Sequence, residues 1–283
     1  MNSFHGLKSA YKMTVDVHVS GYCVADASIV DRGRKRQKVK FHAVWMHIFH
    51  ERFGHILVDT GYSKLFYEVT HSFPQKLYAW ATPVVISDSE TAVAVLRSKN
   101  IAPEDISYII ITHFHADHIC ALRDFPSAKF VCSKAALDEA DHLQGWRAVS
   151  KGILKALLPD DFRQRVLLAE DIAITSGIID GGLEVKSFFD EPRIQLVYLP
   201  GHAAGMLGVL ISTANETILY AADAQWDKET FEAGRLPAHV VKLFFNSWAD
   251  FISSSDKLRA YMALNPATRL MFTHCRQTLN YVK

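Results

Sequence analysis

The sequence lacks most features that would mark a secreted, membrane or nucleic-acid-binding protein. It has 4 cysteines in 283 residues and no C-x-x-C pair, so it indicates neither a disulfide framework nor a cysteine zinc site. No apolar run reaches the ~18 residues of a membrane helix, and residues 1–10 lack the apolar core of a signal peptide. The formal net charge is +1, which gives no overall field toward nucleic acid or anionic lipid. We therefore expect a cytoplasmic globular protein without a membrane partner.

Two local patterns suggest functions that the rest of the sequence does not support. Basic residues concentrate at 32–40, but no aromatic residues interleave them, so nucleic acid is not a favoured partner. Asp59-Thr60-Gly61 is the triplet of aspartic proteases, yet no second triplet supplies the paired carboxylate. Asp59 is instead predicted to fix a turn by accepting backbone hydrogen bonds.

The most informative stretch is 109–118. Three isoleucines followed by Thr112 predict a strand buried on both faces. The strand then runs into His113, His115, Asp117 and His118, all of them residue types that bind a zinc-like ion. Because these residues leave a strand and enter the next turn, one short loop could serve two metal ions.

The rest of the chain predicts an α/β arrangement without linkers, and we expect one domain over 1–283. A helical stretch at about 133–166 interrupts the strand-rich pattern; it is either an inserted cap over the site or a set of ordinary outer helices. The predicted strands cover 15–23, 39–49, 55–58, 106–112, 128–132, 194–199, 208–213, 217–222 and 269–273. The predicted helices cover 87–99, capped by Ser87 or Asp88, 133–143, 146–158, and 256–264, capped by Ser255.

Four apolar strands each end at a residue that can bind metal. The cluster at 113–118 follows one strand, and His202, Asp223 and His274 follow three others. Since strand ends gather at one edge of a sheet in α/β folds, these residues are expected to meet there. Five histidines and two aspartates suit two zinc ions that share a carboxylate, and iron or manganese fit the same ligand types.

The pattern H-x-H-x-D-H in His113 to His118, with the later His202, Asp223 and His274, resembles the metallo-β-lactamase-fold hydrolases over most of the chain. The resemblance implies a four-layer αβ/βα sandwich with the site at one edge. It also implies that His113, His115 and His202 bind one metal, that Asp117, His118 and His274 bind the other, and that Asp223 lies between them.

Within that family, chain length and motif set look most like the acyl-homoserine lactonase group. Asp223 stands where the main β-lactamases carry Cys, which argues against penicillin hydrolysis. His115 stands where the flavodiiron enzymes carry Glu, which argues against oxygen reduction. Two differences from the lactonases are Trp226, three residues after Asp223 where they have Tyr, and Cys120-Ala121, where the family has Gly-Gly.

The resulting hypothesis is a dinuclear zinc hydrolase that opens a lactone or related ester by a metal-bridged hydroxide. Asp117 is expected to pass the proton and Trp226 to donate a hydrogen bond. A glyoxalase II-like thioesterase, a phosphodiesterase and a non-enzymatic metal-binding regulator remain alternatives, and a homodimer remains open. Seven aromatic residues could line an acyl pocket, although such residues are more often core: Tyr62, Phe66, Trp80, Trp146, Phe231, Phe244 and Trp248.

Overall fold

A computed structural model describes residues 11–283, which contain two β-sheets. The strands are β1 Met13–Asp26, β2 Lys38–His50, β3 Gly54–Val58, β4 Val84–Val85, β5 Ile106–Ile110, β6 Lys129–Cys132, β7 Val166–Leu168, β8 Ser176–Ile179, β9 Leu183–Phe188, β10 Glu191–Tyr198, β11 Leu207–Ser212, β12 Thr217–Tyr220 and β13 Arg269–Met271. The first sheet has the strand order β4-β1-β2-β3-β5-β6-β7, and the second has the order β13-β12-β11-β10-β9-β8.

Most helices are short and connect or cover the strands. They are α1 Ala27–Val30, α2 Leu65–Val69, α3 Lys76–Ala81, α4 Ala92–Ser98, α5 Ala116–Ile119, α6 Lys134–His142, α7 Gly145–Ser150, α8 Phe162–Arg165, α9 Ala169–Ile172, α10 Lys228–Glu232 and α11 Trp248–Leu264.

The two sheets and their helices form four layers. One core lies between the sheets, where Val44 and Ile56 of the first sheet join Leu196 and Val209 of the second. A second core covers the opposite face of the first sheet, under α4, α6 and α7. The long helix α11 packs on the second sheet. The predicted αβ/βα sandwich is therefore confirmed.

Three of the predicted helices have different boundaries. Thr91 has extended backbone angles and is the N-cap, so α4 begins at Ala92 and residues 88–90 form a separate 3-10 turn. The predicted helix over 146–158 breaks after Ser150, where Gly152 adopts φ +74. The helix predicted over 256–264 begins at Trp248 with Ser247 as its cap, and Ser255 is buried inside it.

The stretch 133–166 lies between two neighbouring parallel strands, β6 and β7. Its side chains Leu137, Ile153 and Phe162 are buried in the core outside the first sheet, and Ile153 forms a bridge with His115. Across residues 11–283, none of the helices combines the length and apolarity that crossing a bilayer requires.

Candidate metal centre

Four chain segments bring their functional residues to one edge of the sandwich. β5 ends at Ile110, and the following loop and the first turn of α5 carry the residues 113–118. In the second sheet, β10, β12 and β13 run in the same direction, so their carboxyl ends lie at one edge. His202, Asp223 and His274 follow these three strands. The structure thus brings together all seven residues that the sequence selects.

His113, His115 and His202 form one group of imidazoles. Their ligand atoms lie within 4.8 Å of one another. The Nε2 atom of His202 is 3.0 Å from Nδ1 of His115. Three nitrogens at this spacing can bind one zinc ion.

Asp117, His118 and His274 form a second group, with ligand atoms again within 4.8 Å of one another. Asp223 lies between the groups, because its Oδ2 is 3.4 Å from His202 Nε2 and 3.2 Å from His274 Nε2. Its Oδ1 is 3.6 Å from His118 Nε2. One carboxylate therefore faces ligands of both groups, as a bridging residue must.

Unsatisfied buried atoms at the centre test whether these residues fit metal ions. His113 Nε2, His118 Nε2, His202 Nδ1 and Asp223 Oδ1 are buried and have no hydrogen-bond partner among the described residues. Buried polar atoms are normally paired, because losing water without a replacement costs free energy. Three of them, on His113, His118 and Asp223, themselves form a group that could hold one ion. The donor set and its unpaired atoms fit a dinuclear zinc centre.

Burial and charge divide the histidines into two classes. Burial lowers the pKa of His202 to about 3 and that of His113 well below its usual value, so both imidazoles are neutral and have a free lone pair. Burial also disfavours the charged form of His118, but the carboxylates of Asp117 and Asp59 outweigh it and raise its pKa. Burial opposes ionisation of Asp117, yet His118 and His274 hold the pKa of this carboxyl at about 2.

Asp59 has a larger role at the centre than the sequence indicates. Its Oδ1 accepts from the Thr112 backbone N–H at 2.9 Å, which confirms the predicted turn-fixing bond. Its Oδ2 also accepts from His118 Nδ1 at 2.7 Å, so His118 presents Nε2 to the centre. Asp59 itself adopts φ +59, a strained conformation of the kind found at functional sites.

A backbone carbonyl orients His274, as Asp59 orients His118. His274 Nδ1 lies 2.9 Å from the His42 carbonyl oxygen and donates to it, which directs Nε2 toward Asp117 and Asp223. Such partners fix the tautomer of a metal-binding histidine. No side-chain pattern could have revealed His42, because only its backbone takes part.

Trp226 contacts the centre through Asp223. Its indole N–H donates to Asp223 Oδ2 at 3.0 Å. Its ring and that of Phe245, which the sequence did not select, lie 5.6 and 5.0 Å from the His202 ring. Trp248 packs on Phe245. An aromatic wall of Trp226, Phe245 and Trp248 therefore lies beside His202.

The other predicted pocket residues do not form such a wall. Tyr62, Phe66 and Phe231 are buried core residues, the alternative that the sequence favours for such aromatics. Trp80, Trp146 and Phe244 are more than half exposed. Cys275, next to His274, is buried and its sulfur accepts from the Lys228 N–H.

Comparisons with known proteins agree with this arrangement. The family model described as the metallo-beta-lactamase superfamily matches residues 48–274. The N-acyl homoserine lactonase of Bacillus cereus is 26% identical over 214 residues, covering 75% of this chain and 76% of that protein.

Two solved structures are similar to most of the chain. An N-acyl homoserine lactone hydrolase with the product N-hexanoyl-L-homoserine at its metal centre has a TM-score of 0.72 and 21% identity, covering 95% of this chain and 96% of that one. AidC, a dizinc quorum-quenching lactonase, has a TM-score of 0.62 and 17% identity, covering 94% and 88%. At these identities the likeness establishes the fold.

Proposed function

Since this chain belongs to the metallo-beta-lactamase superfamily, we propose that it is a dinuclear zinc hydrolase that opens N-acyl homoserine lactones. One observation carries the proposal: seven ligand-type side chains meet at one edge of the sandwich, with unpaired buried atoms on His113, His118 and Asp223. The curated relative with 26% identity is an N-acyl homoserine lactonase, which supports the substrate class.

The proposed ligands follow the two groups of side chains. His113, His115 and His202 would hold the first ion, Asp117, His118 and His274 the second, and Asp223 would contact both. When bound, two such ions supply Lewis acidity that activates water and polarises a carbonyl group. Five imidazoles and two ionised carboxylates suit a pair of dications.

Asp117 is the proposed proton carrier. Its carboxyl group is ionised at neutral pH, because His118 and His274 offset the effect of burial and keep its pKa at about 2. The carboxylate can accept a proton from the attacking water and deliver it to the alkoxide released when the ring opens. Its Oδ2 lies 3.3 Å from His274 Nε2, so both atoms could bind the same ion.

Trp226 has a positioning role in this proposal. Its N–H bonds to Asp223 Oδ2, and an indole can donate but neither accept nor transfer a proton. The wall of Trp226, Phe245 and Trp248 beside His202 offers apolar surface for the acyl chain of the substrate.

A substrate panel on the zinc-loaded chain tests the function. N-hexanoyl homoserine lactone, an acyl thioester of the same chain length and a chromogenic phosphodiester are compared by kcat/KM. We expect the lactone to be the preferred substrate, and we expect Asp117→Asn to lower its kcat by about 10²–10⁴-fold. Faster thioester or phosphodiester turnover would replace the proposal with that activity, and no turnover would favour a metal-binding regulator.

A further inference from the structure

A second cluster of possible metal ligands lies away from the candidate metal centre. Asp16 and His18 are on β1 and His47 is on β2, and their ligand atoms lie within 4.8 Å of one another. Asp16 is paired directly with His47 across the two antiparallel strands. His18 is two residues from Asp16, so it projects from the same face of the sheet.

His18 has an unsatisfied atom in this cluster. The side chain is 1% exposed, and its Nε2 has no hydrogen-bond partner among residues 11–283. An unpaired buried nitrogen costs free energy that a bound cation would recover. The same feature marks His113, His118 and Asp223 in the candidate metal centre.

The chemistry of the cluster suits a zinc-like cation. Burial lowers the pKa of His18 and of His47 to about 4, so both imidazoles are neutral at physiological pH. His47 Nε2 lies 2.8 Å from His55 Nδ1, a contact of the kind that fixes the ring orientation of a metal ligand. Two imidazoles and one carboxylate form a common three-residue donor set for zinc.

The surroundings indicate weaker binding than at the candidate metal centre. Asp16 also pairs with Lys99 at 3.2 Å and with Lys283 at 2.7 Å, and both ammonium groups compete with a cation. The Asp16 side chain is 24% exposed, which gives an ion a route from solvent. His55 contacts His47 of this cluster, and Asp59 contacts His118 of the candidate metal centre. Along β3 and its next residue, these two positions are about 13 Å apart at the usual strand rise, so the two sites are separate.

We propose that Asp16, His18 and His47 form a third metal site, which binds one zinc-like divalent cation and ties β1 to β2. The C-terminus joins the same region, because the Lys283 N–H donates to the Val17 carbonyl oxygen. An ion there would therefore fasten β1 to β2 beside the bridge between Val17 and Val282.

Zinc stoichiometry tests this site. The full chain, His18→Gln and the control His71→Gln, which removes an exposed histidine, are dialysed against rising zinc concentrations. Bound metal per chain is measured by mass spectrometry, and lactone turnover is measured in parallel. We expect His18→Gln to bind one zinc ion fewer at saturation with unchanged turnover, and His71→Gln to match the wild type. Equal zinc content in His18→Gln and the wild type would overturn the proposal.

A second variant keeps the test decisive if His18→Gln does not fold. Lys99→Gln removes an ammonium group that competes for Asp16, so the weakest of the bound zinc ions should bind several-fold more tightly than in the wild type. An unchanged dissociation constant would count against the site. Loss of lactone turnover in every protein, with the third ion still bound, would reject the proposed function and leave this site standing.

Discussion

At the scale of single residues, the candidate metal centre contains an orienting contact that the ligand motif does not show. The ligand types at 113–118 are visible in the sequence, whereas the bond that orients His118 comes from Asp59, 59 residues away in the chain. The backbone of Asp59 is in the left-handed region, and its carboxylate contacts the buried imidazole of His118. Its function depends on the fold, and the sequence could indicate only that Asp59 fixes a turn.

Asp59→Asn tests that orienting role. Asn also tolerates the left-handed conformation, so the substitution removes mainly the negative charge that holds His118. We expect zinc affinity to fall by about 10- to 100-fold, measured by competition with a chromogenic chelator. Asp160→Asn, at a fully exposed carboxylate, is the control and should bind zinc like the wild type. Unchanged affinity in Asp59→Asn would remove Asp59 from the site.

At the scale of single elements, the loop after α7 supports His115. A Cβ added at Gly152 would lie 2.8 Å from Cδ2 of His115, and Gly152 has φ +74. Gly145 also has a positive φ, of +53, but nothing lies within 4 Å of its added Cβ. Both glycines thus have a positive φ, but only at Gly152 would a Cβ contact His115.

We expect both Gly152→Ala and Gly145→Ala to lose about 1–2 kcal/mol from left-handed strain, measured by urea unfolding. Only Gly152→Ala should displace His115 and reduce zinc binding and lactone turnover. Equal turnover in the two variants at equal zinc loading would show that this loop does not position His115.

The beginning of α11 provides a second test at this scale. Ser247 accepts from the Asp250 N–H at 3.2 Å and caps the helix. Ser247→Ala should therefore lower the free energy of unfolding by about 1 kcal/mol. Ser253→Ala, at an exposed position inside the helix, should be neutral or slightly stabilising because Ala is the better helix former. The opposite order of the two melting temperatures would contradict this helix start.

These boundaries also show what the sequence could predict. Apolar β-branched runs that end in ligand residues placed β5, β10, β12 and β13 correctly, because such runs are fixed by burial. The start of α11 could not be predicted, since residues 252–255 include three serines of modest helix propensity. Packing of buried Phe251, Ser254 and Leu258 overrides that local preference.

At the scale of the whole molecule, buried histidines make the metal-free protein sensitive to acid. Burial lowers the pKa of His18 and His47 from 6.5 to about 4 and that of His202 to about 3. Below their unfolded pKa the unfolded chain binds protons that the folded chain does not, so stability falls as pH decreases through this range. His118 and His274, whose pKa values are raised despite burial, act in the opposite direction but are fewer.

We therefore expect the free energy of unfolding of the metal-free chain to be lower at pH 5.5 than at pH 7.5, as measured by urea titration in the presence of a chelator. His18→Gln lacks one of the neutral imidazoles and should show a smaller difference. Greater stability of the wild type at the lower pH would mean that these histidines are not held neutral in the fold.

Lactone turnover as a function of bound zinc is the most direct test of the seven-residue centre. The wild type is stripped of metal, assayed with N-hexanoyl homoserine lactone, reloaded with zinc and assayed again beside Asp223→Ala. We predict that turnover disappears on stripping and returns with the bound zinc in the wild type, and that Asp223→Ala recovers neither. Full turnover by the metal-free chain would contradict a catalytic role for the seven-residue metal centre.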